Sequence, residues 1–163
     1  MNTGVDASFA ALPLGFADAH YVSAPCGSSQ SACAALPPSA FSPASTYSVG
    51  DYSVTLPSSR WIGGSSVGGG SWWAYSTTFT VADPFRASIA GQVLCDDSCA
   101  VYLNGVPTGA SSGGWGSASP VSITSGFAAG ANTLSFVVYN TILYNDISSP
   151  SGVNAALTLM EAA

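Results

Sequence analysis

The side chains best suited to chemistry come in small local groups. Cys26 and Cys33 bracket the run Gly-Ser-Ser-Gln-Ser-Ala, and Cys95 and Cys99 bracket Asp-Asp-Ser. Four cysteines allow three pairings, and joining near neighbours asks least of the chain. On the loop-entropy view each small ring contributes about 2–2.5 kcal/mol, enough to clip a loop but not to hold a fold together. Neither spacing is that of a zinc knuckle, and His20, the single histidine, stands apart from both pairs. The expectation is two disulfides, and with them an oxidising compartment.

The acids and the histidine offer little for catalysis. As a general base His20 would need a nucleophile and an orienting acid beside it. Asp18, two residues away in an extended segment, shares only a face with it, so a histidine hydrogen-bonded to backbone is the default. Asp96 and Asp97 are adjacent and in a strand would face opposite ways, whereas glycoside cleavage needs two acids flanking a cleft. No enzyme is expected. Calcium is the one metal these residues suggest, since Asp96, Asp97 or Asp146 could join loop carbonyls around a hard cation. The simpler reading gives Asp96 and Asp97 to turn-type bonds inside the clipped loop. No other cofactor is expected.

Aromatic residues give the better binding candidates. A large, stiff ring covers the apolar face of a sugar while Asn, Asp or Arg read its hydroxyls. Trp115 sits in Ser-Gly-Gly-Trp-Gly-Ser, where small polar neighbours leave the ring accessible. Trp72 adjoins Trp73 and must face oppositely in a regular strand, so one of the two turns away from the core. Tyr144, Asn145 and Asp146 make another aromatic-plus-polar loop. The bland alternative for each is a hydrophobic lid over the end of the domain. Trp61 is assigned to the core.

The elements that would position these groups read as strands. Apolar residues do not recur at helical spacing, and 18 glycines with 10 prolines punctuate the chain. Period-two stripes are common instead: Trp73 to Val81, Ile89 to Cys95, Val101 with Leu103, Leu134 to Val138, and Val153 to Leu159. Val121 to Ile123 is a short strand, and Tyr47 to Leu56 is expected to be another, bent at Gly50-Asp51. Asn104-Gly105 is a hairpin turn of the type needing positive φ at both residues. Stretches 63–70 and 111–116 read as exposed loops. Residues 1–45, with Pro37-Pro38 and Pro43, read as an irregular, wrapped segment rather than sheet interior, and 46–160 as the main strands. Many short strands without crossover helices point to one all-β domain, an antiparallel β-sandwich.

Composition narrows the partners. Charged residues make up only 6% of the chain, lysine is absent, Arg60 and Arg86 are the only side-chain cations apart from histidine, and the net charge is −6. Nucleic-acid binding needs cations to displace counterions, and anionic membranes need them too, so the shortage argues against both; no stretch is long and apolar enough to span a membrane, so no insertion is expected. Hydration falls to Ser, Thr, Asn and Gly, a surface suited to the outside of a cell or particle. No basic-plus-apolar signal stretch follows Met1; a trimmed leader and another export route such as virion assembly both stay open.

Several motifs together resemble a known family. They are Asn2-Thr3-Gly4-Val5-Asp6, Asp18-Ala19-His20-Tyr21, Arg60-Trp61-Ile62, Tyr75-Ser76-Thr77-Thr78-Phe79, the Cys95-Asp96-Asp97 turn, Val101-Tyr102-Leu103-Asn104-Gly105, Gly130-Ala131-Asn132-Thr133-Leu134 and Ser149-Pro150-Ser151-Gly152. In order they span nearly the whole chain and resemble domains of secreted bacterial proteins bearing a PEP-CTERM sorting tail. Those domains are similar to galactose-binding-like jelly rolls, which serve as carbohydrate-binding modules. The two cysteine clips, and an end at Met160-Glu161-Ala162-Ala163 without a sorting tail, depart from that pattern. The resemblance implies a jelly-roll sandwich and a non-catalytic extracellular module that recognises glycans through loops at one end. The second reading is a structural surface protein that self-assembles through strand edges lacking lysine guards.

Overall fold

The computed structural model describes residues 1–27, 29–47, 54–64, 70–141 and 151–162. Ten strands lie in one antiparallel sheet: β1 (Ala17–Gly27), β2 (Ser42–Thr46), β3 (Ile62–Gly64), β4 (Ser71–Val81), β5 (Ala87–Asp96), β6 (Ser98–Leu103), β7 (Val106–Ser112), β8 (Ser119–Ile123), β9 (Gly130–Asn140) and β10 (Ser151–Glu161). Their order is β7-β6-β9-β4-β1-β2-β3-β10-β5-β8. The sheet folds at β1–β2 so that β9 and β4 face β10 and β5, and the end strands β7 and β8 approach each other. From β4 onward only the β6–β7 hairpin stays within a layer; every other connection crosses, the winding of a jelly roll. The domain is an antiparallel β-sandwich, nearly closed into a barrel.

Alternation explains the strands. Tyr75, Leu134, Phe136, Val138, Val101 and Leu103 from one layer meet Ile89, Val93, Cys95, Val153, Ala155 and Leu157 from the other in the main core. Each sends its side chain inward because its period-two position demands it. The longest ladder is unbroken from Ser71↔Asn140 to Val81↔Gly130. Asn104 and Gly105 close the β6–β7 hairpin with φ of 53° and 78°, as the Asn-Gly pair predicts. Trp61 is buried beside Leu56 and Leu94, its indole N–H donating to the Val54 carbonyl at 2.9 Å.

Three expectations are corrected. Residues 17–27 are not a wrapping segment: β1 lies inside the sheet between β4 and β2. Its proline is tolerated because β1 pairs with β2 only as far as Ser23, leaving Pro25 with β4 alone. Pro43 in β2 likewise has a neighbour only in β1. Second, the strand expected from Tyr47 to Leu56 is absent at its described ends. β2 stops at Thr46, residues 54–56 are irregular, and 48–53 lie outside the described residues. The loop expected over 111–116 begins at 113, since β7 runs to Ser112.

The first residues seal the seam between the layers. Past Val153, β10 loses β3 as a neighbour, and Thr3 takes its place. The Thr3 N–H donates to the Ala155 carbonyl and the Ala155 N–H to the Thr3 hydroxyl, both at 3.0 Å. Gly4 follows with φ of 66°, where an added Cβ would collide with Arg60 Cβ.

Candidate functional site

Residues 73–77 of β4 are buried without interruption, although alternate residues point to opposite faces. A strand buried on both faces must be covered outside as well as inside. The cover is the segment after β1, containing the short helix α1 (Gln30–Ala34) and a 3₁₀ turn at Pro38–Ala40. Ser29 caps α1 by accepting from the Ala32 N–H. The Cys26–Cys33 disulfide (Cα–Cα 4.9 Å) ties the helix to the end of β1. On the other side Gln30 Nε2 donates to the Tyr102 hydroxyl on β6 at 2.8 Å. Cys26, Cys33, Ala74 and Val137 form a second apolar cluster beneath this strap, with Leu36, Phe41 and Trp72 against it.

Between strap and sheet lies a groove of about 410 Å³, within the usual size of a small-ligand site. Its floor follows the β4–β9 ladder: Ala74 beside Val137, then Ser76 beside Ser135, then Thr78 beside Thr133. Val22, Leu36 and Phe41 give apolar walls, and Gln30 with Tyr102 gives a polar one. Ser76 and Ser135 share a hydrogen bond of 2.8 Å, which leaves one of the two hydroxyls free to donate outward. No carboxylate, imidazole, amine or guanidinium lines this groove among the described residues.

The residues singled out from sequence lie elsewhere. Both disulfides form between near neighbours as expected, but Cys95 and Cys99 stand in β5 and β6, with both sulfurs in the main core rather than in a peripheral loop. Asp97 makes no turn bond within the clip. Its carboxylate accepts from the Thr141 N–H at 2.7 Å and its own N–H donates to the Tyr139 carbonyl at 2.9 Å, pinning the end of β9. Asp96 is buried. No group of three or more His, Cys, Asp or Glu side chains is arranged to hold a metal ion among the described residues. Trp72 does face away from the core, opposite Trp73, yet it packs on Tyr139 at 4.8 Å between ring centroids and is only half-exposed.

Trp115 sits on the β7–β8 turn and is 37% exposed. The Gly114 carbonyl beside it accepts from Cys95 N–H and the Ser112 hydroxyl. The structure thus gathers Trp72, Asp96, Asp97 and Trp115 at one end of the sandwich, while Tyr144, Asn145 and Asp146 lie outside the described residues.

His20 is occupied structurally. Its Nε2 donates to the Asp6 carbonyl at 3.0 Å, and its ring stacks on Phe9 at 4.9 Å. Asp18 accepts from the backbone N–H groups of Gly4, His20 and Tyr21. The Ser8 hydroxyl, with the Ala10 and Ser8 amides, holds the Asp6 carboxyl below the usual carboxylate range. The spacing of a nucleophile elbow occurs twice in the sequence, at Gly64-Ser65-Ser66-Val67-Gly68 and at Gly109-Ala110-Ser111-Ser112-Gly113. The serine of the first lies outside the described residues, and that of the second lies within the strand β7, whereas an elbow places its serine on a strand-to-helix turn.

The groove itself escaped sequence reading because its two walls are distant in the chain. The available signal was the hydroxyl alternation Ser76-Thr78 against Thr133-Ser135, legible only once β4 and β9 are paired. No helix among the described residues is long and apolar enough to cross a membrane. The two disulfides fit an oxidising environment outside the cytoplasm. No protein-family model and no curated protein matches the chain.

Proposed function

We propose that this chain is a non-catalytic extracellular binding module that holds a neutral glycan in the groove under α1. One observation carries the reading: a concave site whose polar groups are a Ser/Thr platform, one amide and one phenol, without a charged side chain among the described residues. Neutral hydroxyls match such a set by exchanging hydrogen bonds one for one, whereas a charged ligand would leave water without a counter-charge. The same lining offers no acid or base for turnover, which supports binding over catalysis. The loop end with Trp115 is the weaker site, because Trp72 is occupied by Tyr139 and Asp97 by Thr141.

A glycan array on the native protein, with Tyr102→Ala and Trp115→Ala beside it, tests the reading. Neutral glycans should bind, and Tyr102→Ala should weaken binding about tenfold, the worth of one aromatic contact. Trp115→Ala should change little. Loss of binding in Trp115→Ala alone would move the site to the loop end, and no glycan binding at all would end the proposal.

A further inference from the structure

The groove is polar at one end and apolar at the other, and the change falls at the same step on both floor strands. Along β4 the outward residues run Ala74, Ser76, Thr78; along β9, in register, they run Val137, Ser135, Thr133. Above Ala74 and Val137 sit Leu36 and Phe41 from the strap, half-buried and facing the cavity. The hydroxyl steps lead out towards the β6–β7 hairpin, where Gly105 forms the rim. Neither end offers a charge, so the ligand's polar part must be uncharged and its apolar part must lie under the strap.

We propose that the groove takes a neutral amphiphile, a glycoside whose apolar aglycone lies beneath α1 while its sugar rests on Ser76, Thr78, Thr133 and Ser135. This rests on the glycan reading and narrows it. Apolar surface left in water at Phe41 and Leu36 is covered by the aglycone, and that burial adds affinity the sugar alone cannot supply. A free sugar would use only the hydroxyl half of the site. A fatty acid would bring a carboxylate to a platform with no cation.

The test uses n-octyl β-D-glucoside below its micelle concentration, with methyl β-D-glucoside and octanoate as partial ligands, titrated by calorimetry into the native protein. Octyl glucoside should bind at least about tenfold more tightly than either partial ligand, the gain from burying about two methylenes. Phe41→Ser should remove most of that gain, weakening octyl glucoside several-fold more than methyl glucoside, and Thr133→Ala should weaken both glucosides. Thermal melts confirm that each variant is folded. Equal affinity for methyl and octyl glucoside overturns the amphiphile and leaves the glycan reading standing. Octanoate binding as tightly as octyl glucoside overturns both, whereas binding of none of the three overturns the amphiphile and leaves the glycan reading to the array. Octyl glucoside binding that ignores Phe41→Ser overturns the placement under the strap.

Discussion

Tyr21 shows how one residue's surroundings decide its chemistry. Its ring is buried against Phe136, and its hydroxyl donates to the Met1 carbonyl at 3.1 Å. Burial, with the Asp18 carboxylate as a smaller contribution, pushes the phenol far above the ordinary tyrosine range. Below about pH 10 the folded and unfolded forms both keep this proton, so its contribution is constant. Above that pH the unfolded chain loses the proton while the folded one does not, and stability should fall by about 1.4 kcal/mol per pH unit. Alkaline unfolding followed by circular dichroism should therefore be delayed in Tyr21→Phe relative to the native protein. Identical midpoints would show that Tyr21 carries none of the pH dependence. Asp18 was legible in sequence only as a neighbour of His20; its real partners are three backbone amides, which no spacing reveals. His20 itself behaves as the default predicts, because a lone imidazole near a turn finds a carbonyl more readily than a nucleophile.

The strap is the element on which the candidate site depends. α1 has five residues, too few to stand alone, so its position comes from Cys26–Cys33 and from the Gln30–Tyr102 bond. Replacing both Cys26 and Cys33 with serine should cost about 2–2.5 kcal/mol in denaturant unfolding, the loop-entropy value for so short a ring. It should also expose residues 29–41 to protease and weaken ligand binding at the groove. A strap that stays protected without the disulfide would assign its placement to the apolar cluster instead. The cysteine spacing made this clip legible in advance. What it clips was not legible, because the target is the outer face of β4 and β9, some forty to a hundred residues away.

At the scale of the whole molecule, the two end strands are the edges through which copies of a nearly charge-free sandwich could pair. β7 and β8 contain no charged residue, but each contains a proline, Pro107 and Pro120. Leu103↔Val106 closes the two-residue hairpin, so the next pair, Tyr102↔Pro107, points its backbone groups away from β6. Pro107 thus removes a donor from the free edge, and Pro120 removes one from the other strand. Such guards weigh against assembly through these edges and towards a monomeric module. Replacing both prolines with threonine should make the sedimentation coefficient rise with concentration, while the native protein's stays constant. A native protein that already associates would revive the structural-subunit reading.

Local order was set by the chain itself. Period-two alternation dictates strands because side chains must reach one core, the Asn-Gly pair dictates the hairpin because both residues need positive φ, and short cysteine spacing dictates the clips because nearby thiols meet first. Only the tertiary structure decided that β1 lies inside the sheet despite its proline, that Asp97 serves the end of β9, and that a groove exists at all. Those facts depend on which strands lie side by side, and strand order is settled by burying all the inward stripes at once rather than by any one segment.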